Sequence, residues 1–137
     1  MAIVSSKNTL RRLSTIEEAL AIINQTFPFT VVCVLKIQSG PSSQLLHSAL
    51  SKLQQSNPLL SALIRERNGV FWFEQDKEAN PISLQTELRK DENHWQTAAR
   101  NELNHGFDQG KAPLMRVLYL VPPSDSEDSE IILSFHH

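Results

Sequence analysis

The sequence predicts an α+β domain, a mixed, largely antiparallel sheet with helices packed on it. Three observations lead there. Helical and strand-like stretches follow one another without the regular alternation of a doubly wound fold. The pair Asn68-Gly69 stands between two strand-like runs, the pattern of a tight hairpin. Near the C-terminus, "PLMRVLYLV" and "EIILSFHH" are two further apolar runs separated by a short polar segment, as antiparallel neighbours would be. A chain of 137 residues, 40% hydrophobic and 20% charged, is enough for one domain over residues 1–137 with a real core.

The elements follow in order. In "LSTIEEALAIINQ", Ser14 and Glu17 have capping-box spacing, and Ile16, Ala19, Leu20 and Ile23 fall on one helical face. Pro28 keeps that helix from running further. "FTVVCVLKI" is nearly unbroken apolar and β-branched, which predicts a strand covered on both faces, with Cys33 buried and inert as a thiol. Gly40-Pro41 breaks the run. In "SSQLLHSALSKLQQ" an apolar stripe of Leu45, Leu46, Ala49, Leu50 and Leu53 predicts an amphipathic helix ending before Pro58, with His47 peripheral.

"SALIRERNGVFWFEQ" is the hairpin, with Trp72 alternating against Phe71 and Phe73. "PISLQTEL" is a weaker strand. "HWQTAARNELN" predicts a helix with Trp95, Ala98, Ala99 and Leu103 on one face, Gly106 as its stop, and His94 and His105 as surface or capping groups. Pro122 to Ser129, rich in Pro, Ser and clustered acids, reads as a solvated connection.

Bulk properties narrow the function classes. A net charge of −2 gives no reason to expect nucleic acid or an anionic membrane as partner. No segment has the length of a secretory signal or a membrane span, and the single cysteine excludes an intramolecular disulfide. A cytoplasmic protein is expected.

The reactive residues sit at the end. His136 and His137 close a strand, so side-chain alternation puts His137 on the face of Leu133 and Phe135, and His136 with Ile132 and Ser134. Adjacent strand positions are badly placed to chelate one metal, and no Cys, Asp or Glu lies at metal-site spacing, so no metal is expected. Two readings stand side by side: a frayed terminal pair, or a neutral imidazole poised as a general base, whose ordinary pKa of about 6.5 suits proton transfer near neutrality.

Several stretches, in order, resemble the condensation-domain superfamily, which includes chloramphenicol-acetyltransferase-like, polyketide-associated and alcohol acyltransferases. "RRLSTIEEAL" is similar to the family's opening segment. "LLHSALSKLQQSNPLLSALIRERNGVFWF" resembles its helix, Asn-Pro-Leu-Leu turn and hairpin. "ELNHGFDQGKAPLMRVLYL" resembles its Phe-Asp…Pro-Leu-x-Arg strand, and "EIILSFHH" the strand entering its His-His-x-x-x-Asp-Gly motif. Many members carry an arginine directly after the Pro-Leu-Leu turn; Ser61 stands there, with Arg65 and Arg67 nearby.

The resemblance implies a set of expectations. The fold would be the N-terminal lobe of a two-lobe protein, and the chain an N-terminal fragment ending inside the motif. His137 would be the catalytic general base and His136 a supporting group. Arg116, from Pro-Leu-x-Arg, would be structural at the site, with an outward-facing strand residue as its ordinary alternative. The parent would move an acyl group from acyl-CoA or a phosphopantetheinyl carrier protein to a hydroxyl or amine acceptor, with no covalently bound cofactor. The fragment alone would be inactive and would form a homo-oligomer through its open faces. The competing expectation is a non-catalytic binding module on the same scaffold; three residues and then Asp-Gly after His137 would favour the enzyme.

Overall fold

A computed structural model describes residues 8–124 and 127–136. Seven strands and three helices follow the order β1 (Thr9–Arg12), α1 (Thr15–Asn24), β2 (Thr30–Gln38), α2 (Ser43–Ser56), β3 (Ala62–Arg67), β4 (Val70–Gln75), β5 (Ser83–Leu88), α3 (His94–Leu103), β6 (Met115–Val121) and β7 (Asp128–His136). The α+β class holds, but the strands divide into two sheets, one ordered β1-β4-β3 and the other β2-β7-β6-β5. Every pairing is antiparallel except β5 with β6.

Local signals formed as the chemistry requires. The Ser14 hydroxyl accepts from the Glu17 amide, and the Glu17 carboxylate accepts from the Ser14 amide at 2.7 Å, which closes the capping box of α1. Asn68 and Gly69 both have positive φ, 55° and 78°, so the β3–β4 turn is the type that Asn-Gly favours. Pro58 opens a 3-10 turn, Pro58–Ser61, directly after α2. At Gly40 an added Cβ would collide with the Ser129 and Tyr119 side chains, and the Tyr119 hydroxyl donates to the Pro41 carbonyl at 2.6 Å. That close approach is why a glycine stands at position 40, just past β2.

Three apolar clusters organise the packing. Leu46 and Leu50 of α2 lie with Ile82 on one face of the four-stranded sheet, against Met115, Val117, Tyr119, Ile131, Leu133 and Phe135. Trp95 and Ala98 of α3 cover the other face, against Val32, Val34, Leu118, Leu120 and Ile132. Leu13 and Ala21 pack on the inner face of the three-stranded sheet, against Ile64, Phe71 and Phe73. Strand β7 is central, flanked by β2 and β6, and its Ile132 is fully buried.

Several expectations are corrected here. Strand β1 was not foreseen; four residues, half of them arginine, carry no apolar period. Strand β2 is an edge strand. Val32 and Val34 meet α3, but Val31, Leu35 and Cys33 are exposed, so the thiol is not buried. The stripe assigned to α1 is turned outward: Ile16 is 72% exposed, and Ala21 is the buried contact. Leu45 and Leu53 of α2 are likewise exposed. Helix α3 ends at Leu103, with Asn104 as its C-cap, rather than at Gly106, which instead passes close to Pro28. The Pro122–Ser129 connection is shorter than expected, because Asp128 and Ser129 already belong to β7 and Ser129 is buried.

Candidate active site at the end of the central strand

The C-terminal end of β7 lies where the two sheets meet. His136 pairs in register with Thr30, and its amide donates to the Leu114 carbonyl at 3.0 Å, which fixes the strand end on both sides. The His136 ring nitrogen Nε2 lies 2.9 Å from Gln109 Oε1. A side-chain carbonyl oxygen only accepts, so Nε2 carries the proton in this contact. The Gln109 backbone carbonyl in turn accepts from the Ile64 amide at 2.7 Å, which ties β3 of one sheet to β7 of the other. The ring is therefore held, with one of its nitrogens already engaged.

On the same side of β7 a polar cluster supports this ring. Arg116 sits opposite Ser134 in the β6–β7 register. Its Nε donates to Glu102 at 2.5 Å, and the same carboxylate oxygen accepts from the Ser134 hydroxyl at 2.9 Å. The guanidinium also donates to the carbonyls of His105 and Gly106 and lies over the Phe107 ring, 4.3 Å from its centroid. Phe107 then meets His136 in a tilted ring contact, centroids 6.5 Å apart. Arg116 is thus not an outward-facing strand residue. It is a largely buried clamp between the end of α3 and β6, one ring away from His136.

Leu133 and Phe135 point to the other face of β7, with the α2 cluster. Beside Phe135 a cavity of about 370 Å³ is lined by Val31, Leu59, Leu60, Phe73, Leu114 and His136, with Arg11 and Glu17 on its wall. Arg11 and Glu17 form a two-pronged ion pair at 2.7 and 2.8 Å, and the Arg11 guanidinium covers the Phe73 ring at 4.8 Å. The Arg11 side-chain bonds, with the Ser14 bonds adding to them, outweigh burial and hold the Glu17 carboxyl down to about 2.

His137 lies outside the described residues, so its expected place beside Leu133 and Phe135 is not part of this geometry. The structure joins His136 and Arg116 through Phe107. Arg65 and Arg67 lie apart from them, on the outer face of the three-stranded sheet: Arg65 pairs with Glu74 and Arg67 covers Trp72. His94 is more enclosed than a surface group. Its Nδ1 accepts the Lys90 amide and its Nε2 lies 3.2 Å from Glu87. His105 contributes its carbonyl, which accepts from Thr30 as well as from Arg116, and His47 is exposed. Glu102 and Gln109 were missed by the sequence reading. Glu102 had only its charge opposite that of Arg116 as a signal, and Gln109 had none.

No family model and no curated protein matches the sequence. Solved structures do match in fold. The first condensation domain of the calcium-dependent antibiotic synthetase, in complex with a substrate analogue, is 15% identical with a TM-score of 0.77, over 94% of this chain and 33% of that one. The tallysomycin biosynthesis protein TlmII is 17% identical with a TM-score of 0.72, over 92% of this chain and 31% of that one. A variant starter condensation domain of rhizomide synthetase RzmA, in complex with C8-CoA, is 13% identical with a TM-score of 0.71, over 93% of this chain and 31% of that one. The chain therefore has the condensation-domain, chloramphenicol-acetyltransferase-like fold, and spans about a third of the length of the solved proteins it matches.

Proposed function

We propose that this chain is the N-terminal lobe of a condensation-type acyltransferase, which moves an acyl group from a CoA or carrier-protein thioester to a hydroxyl or amine acceptor. The observation that carries the reading is the end of β7: a strand pinned between β2 and β6, with a held histidine at position 136, abutting a cavity at the junction of the two sheets. His137 is the general base in this reading. It takes the proton of the acceptor as the acceptor attacks the thioester carbonyl, a contribution of roughly 10²–10⁴-fold. His136, with Nε2 engaged by Gln109, is the supporting group, and Arg116 holds the site's frame through Glu102 and Phe107.

The fold likeness to a condensation domain solved with C8-CoA supports a thioester donor. The 137 residues span about a third of the solved proteins they match, and by themselves are expected to be inactive. Incubating the chain with an acyl-thioester and an alcohol or amine acceptor tests this. No turnover is expected; turnover that His137→Ala abolishes would show that the lobe suffices by itself. Exposed apolar residues on β2 and α2 also favour self-association of the chain.

A further inference from the structure

We infer that Gln109 is a positioning residue of this site, which holds the His136 ring as an Nε2–H donor and so steadies the end of β7. This deepens the acyltransferase reading and rests on it. The segment that carries Gln109 is itself held through its backbone. The His105 carbonyl accepts from the Thr30 hydroxyl of β2 at 3.0 Å and from Arg116 of β6, and the Gly106 carbonyl accepts from Arg116 as well. The Asn24 side-chain amide, at the end of α1, donates to the Phe107 carbonyl at 3.3 Å. The Ile64 amide of β3 donates to the Gln109 carbonyl at 2.7 Å. Asp108 closes a turn around Gln109: its carboxylate accepts from the Gly110 amide at 3.1 Å, and its carbonyl from the Lys111 amide at 3.0 Å.

The bonds to α1, β2, β3 and β6 all use main-chain carbonyls, so they place Gln109 whatever side chain stands there. The side chain is directed at the ring, with Oε1 2.9 Å from His136 Nε2. One residue thus bonds β3 through its main chain and β7 through its side chain, which joins the two sheets at the histidine. A glutamine oxygen accepts from the ring without adding a charge, as a carboxylate would. The cavity beside Phe135 meets His136 but not Gln109. Gln109 therefore acts through the ring, on the geometry of the strand end and not on the affinity for substrate. Loss of such support lowers a rate without touching the reacting atoms.

Two measurements test the assignment. The first is nitrogen-15 NMR of the 137-residue chain labelled at histidine, with the His136 signal assigned by its loss in His136→Ala. The wild type should show a protonated Nε2 whose proton exchanges slowly with water. Gln109→Ala should speed that exchange about tenfold, as the loss of one hydrogen bond would, and Gln109→Glu, which keeps an accepting oxygen, should retain the protection. Circular dichroism melting should stay cooperative in both variants, since the main-chain bonds remain. The second is acyl transfer from octanoyl-CoA by the protein as its gene encodes it. Gln109→Ala should lower kcat about tenfold at an unchanged KM. A His136 ring protonated at Nδ1 alone, an exchange rate that Gln109→Ala leaves unchanged, or a kcat that it leaves at the wild-type value would each overturn the proposal. A protein without acyl transfer whose ring exchange still depends on Gln109 would sink the acyltransferase reading alone and leave Gln109 as the holder of the ring.

Discussion

Glu102 and Arg116 share one 2.5 Å hydrogen bond that joins the last turn of α3 to β6, and the same carboxylate oxygen also receives the Ser134 hydroxyl from β7. Strands β6 and β7 thus converge on a single acid of α3, and β7 does so through Ser134, two residues before His136. Glu102→Ala removes the acceptor of both donors and leaves a largely buried guanidinium without its counter-ion. A loss of about 2–3 kcal/mol in urea-determined stability is expected. Arg116→Lys keeps the charge but not the planar fork that also reaches the His105 and Gly106 carbonyls, so it should be clearly destabilising as well. A Glu102→Ala protein as stable as the wild type would remove this cluster as the frame of the site.

A second buried pair holds the other end of β7, on the same face of the sheet. Arg89, just past β5, donates to Glu130 of β7 at 2.9, 3.0 and 3.2 Å, and Glu130 is only 2% exposed. Breaking it by Glu130→Ala should cost about 3–5 kcal/mol, because Arg89 would remain charged and enclosed. The double replacement Arg89→Met/Glu130→Leu should recover most of that loss, since neither charge is then stranded. Equilibrium unfolding of the two variants checks the order; a double variant no better than the single one would contradict it.

The Glu17 carboxyl gives a pH signature. Its folded value of about 2 lies below the ordinary 4.5, so the unfolded chain binds more protons in that window. The stabilisation it supplies is complete above the ordinary value and disappears as the pH falls from about 4.5 through 2. Glu17→Gln should therefore be less stable than the wild type at pH 7, by about 1 kcal/mol for an exposed pair with a helix cap. The difference should vanish near pH 2. A carbon-13 titration of the Glu17 carboxyl that gives a midpoint near 4.5 would contradict the Arg11 pairing.

The edge strand β2 is the proposed seat of self-association. It leaves Leu35 42% exposed and Val31 beside it, with Cys33 between them. Sedimentation velocity should show a concentration-dependent oligomer for the chain, and Leu35→Lys, a charge on an exposed edge, should shift it to monomer. A wild-type chain that stays monomeric at high concentration would count against this interface.

What could be read from the sequence was local. The capping box Ser14–Glu17 and the Asn68-Gly69 hairpin depend on residues at most three apart, and both formed as expected. The periodicity of α1 and α2 located both helices but did not fix the faces they bury. Ile16, Ile23, Leu45 and Leu53 are left exposed, and β2 proved an edge strand rather than a covered one. The support around His136 was invisible because it is assembled over distance: Gln109 is 27 residues away, and Glu102 reaches Ser134 across 32. No spacing rule links such positions; the β6–β7 register and the end of α3 bring them together.

The most direct test of the account is the rate of acyl transfer from octanoyl-CoA to an alcohol or amine by the protein as its gene encodes it, measured for the wild type, His137→Ala and His136→Ala. The account predicts a fall of roughly 10²–10⁴-fold for His137→Ala, with a smaller fall for His136→Ala through loss of the Gln109 and Phe107 contacts. Transfer that His137→Ala leaves at the wild-type rate would contradict it.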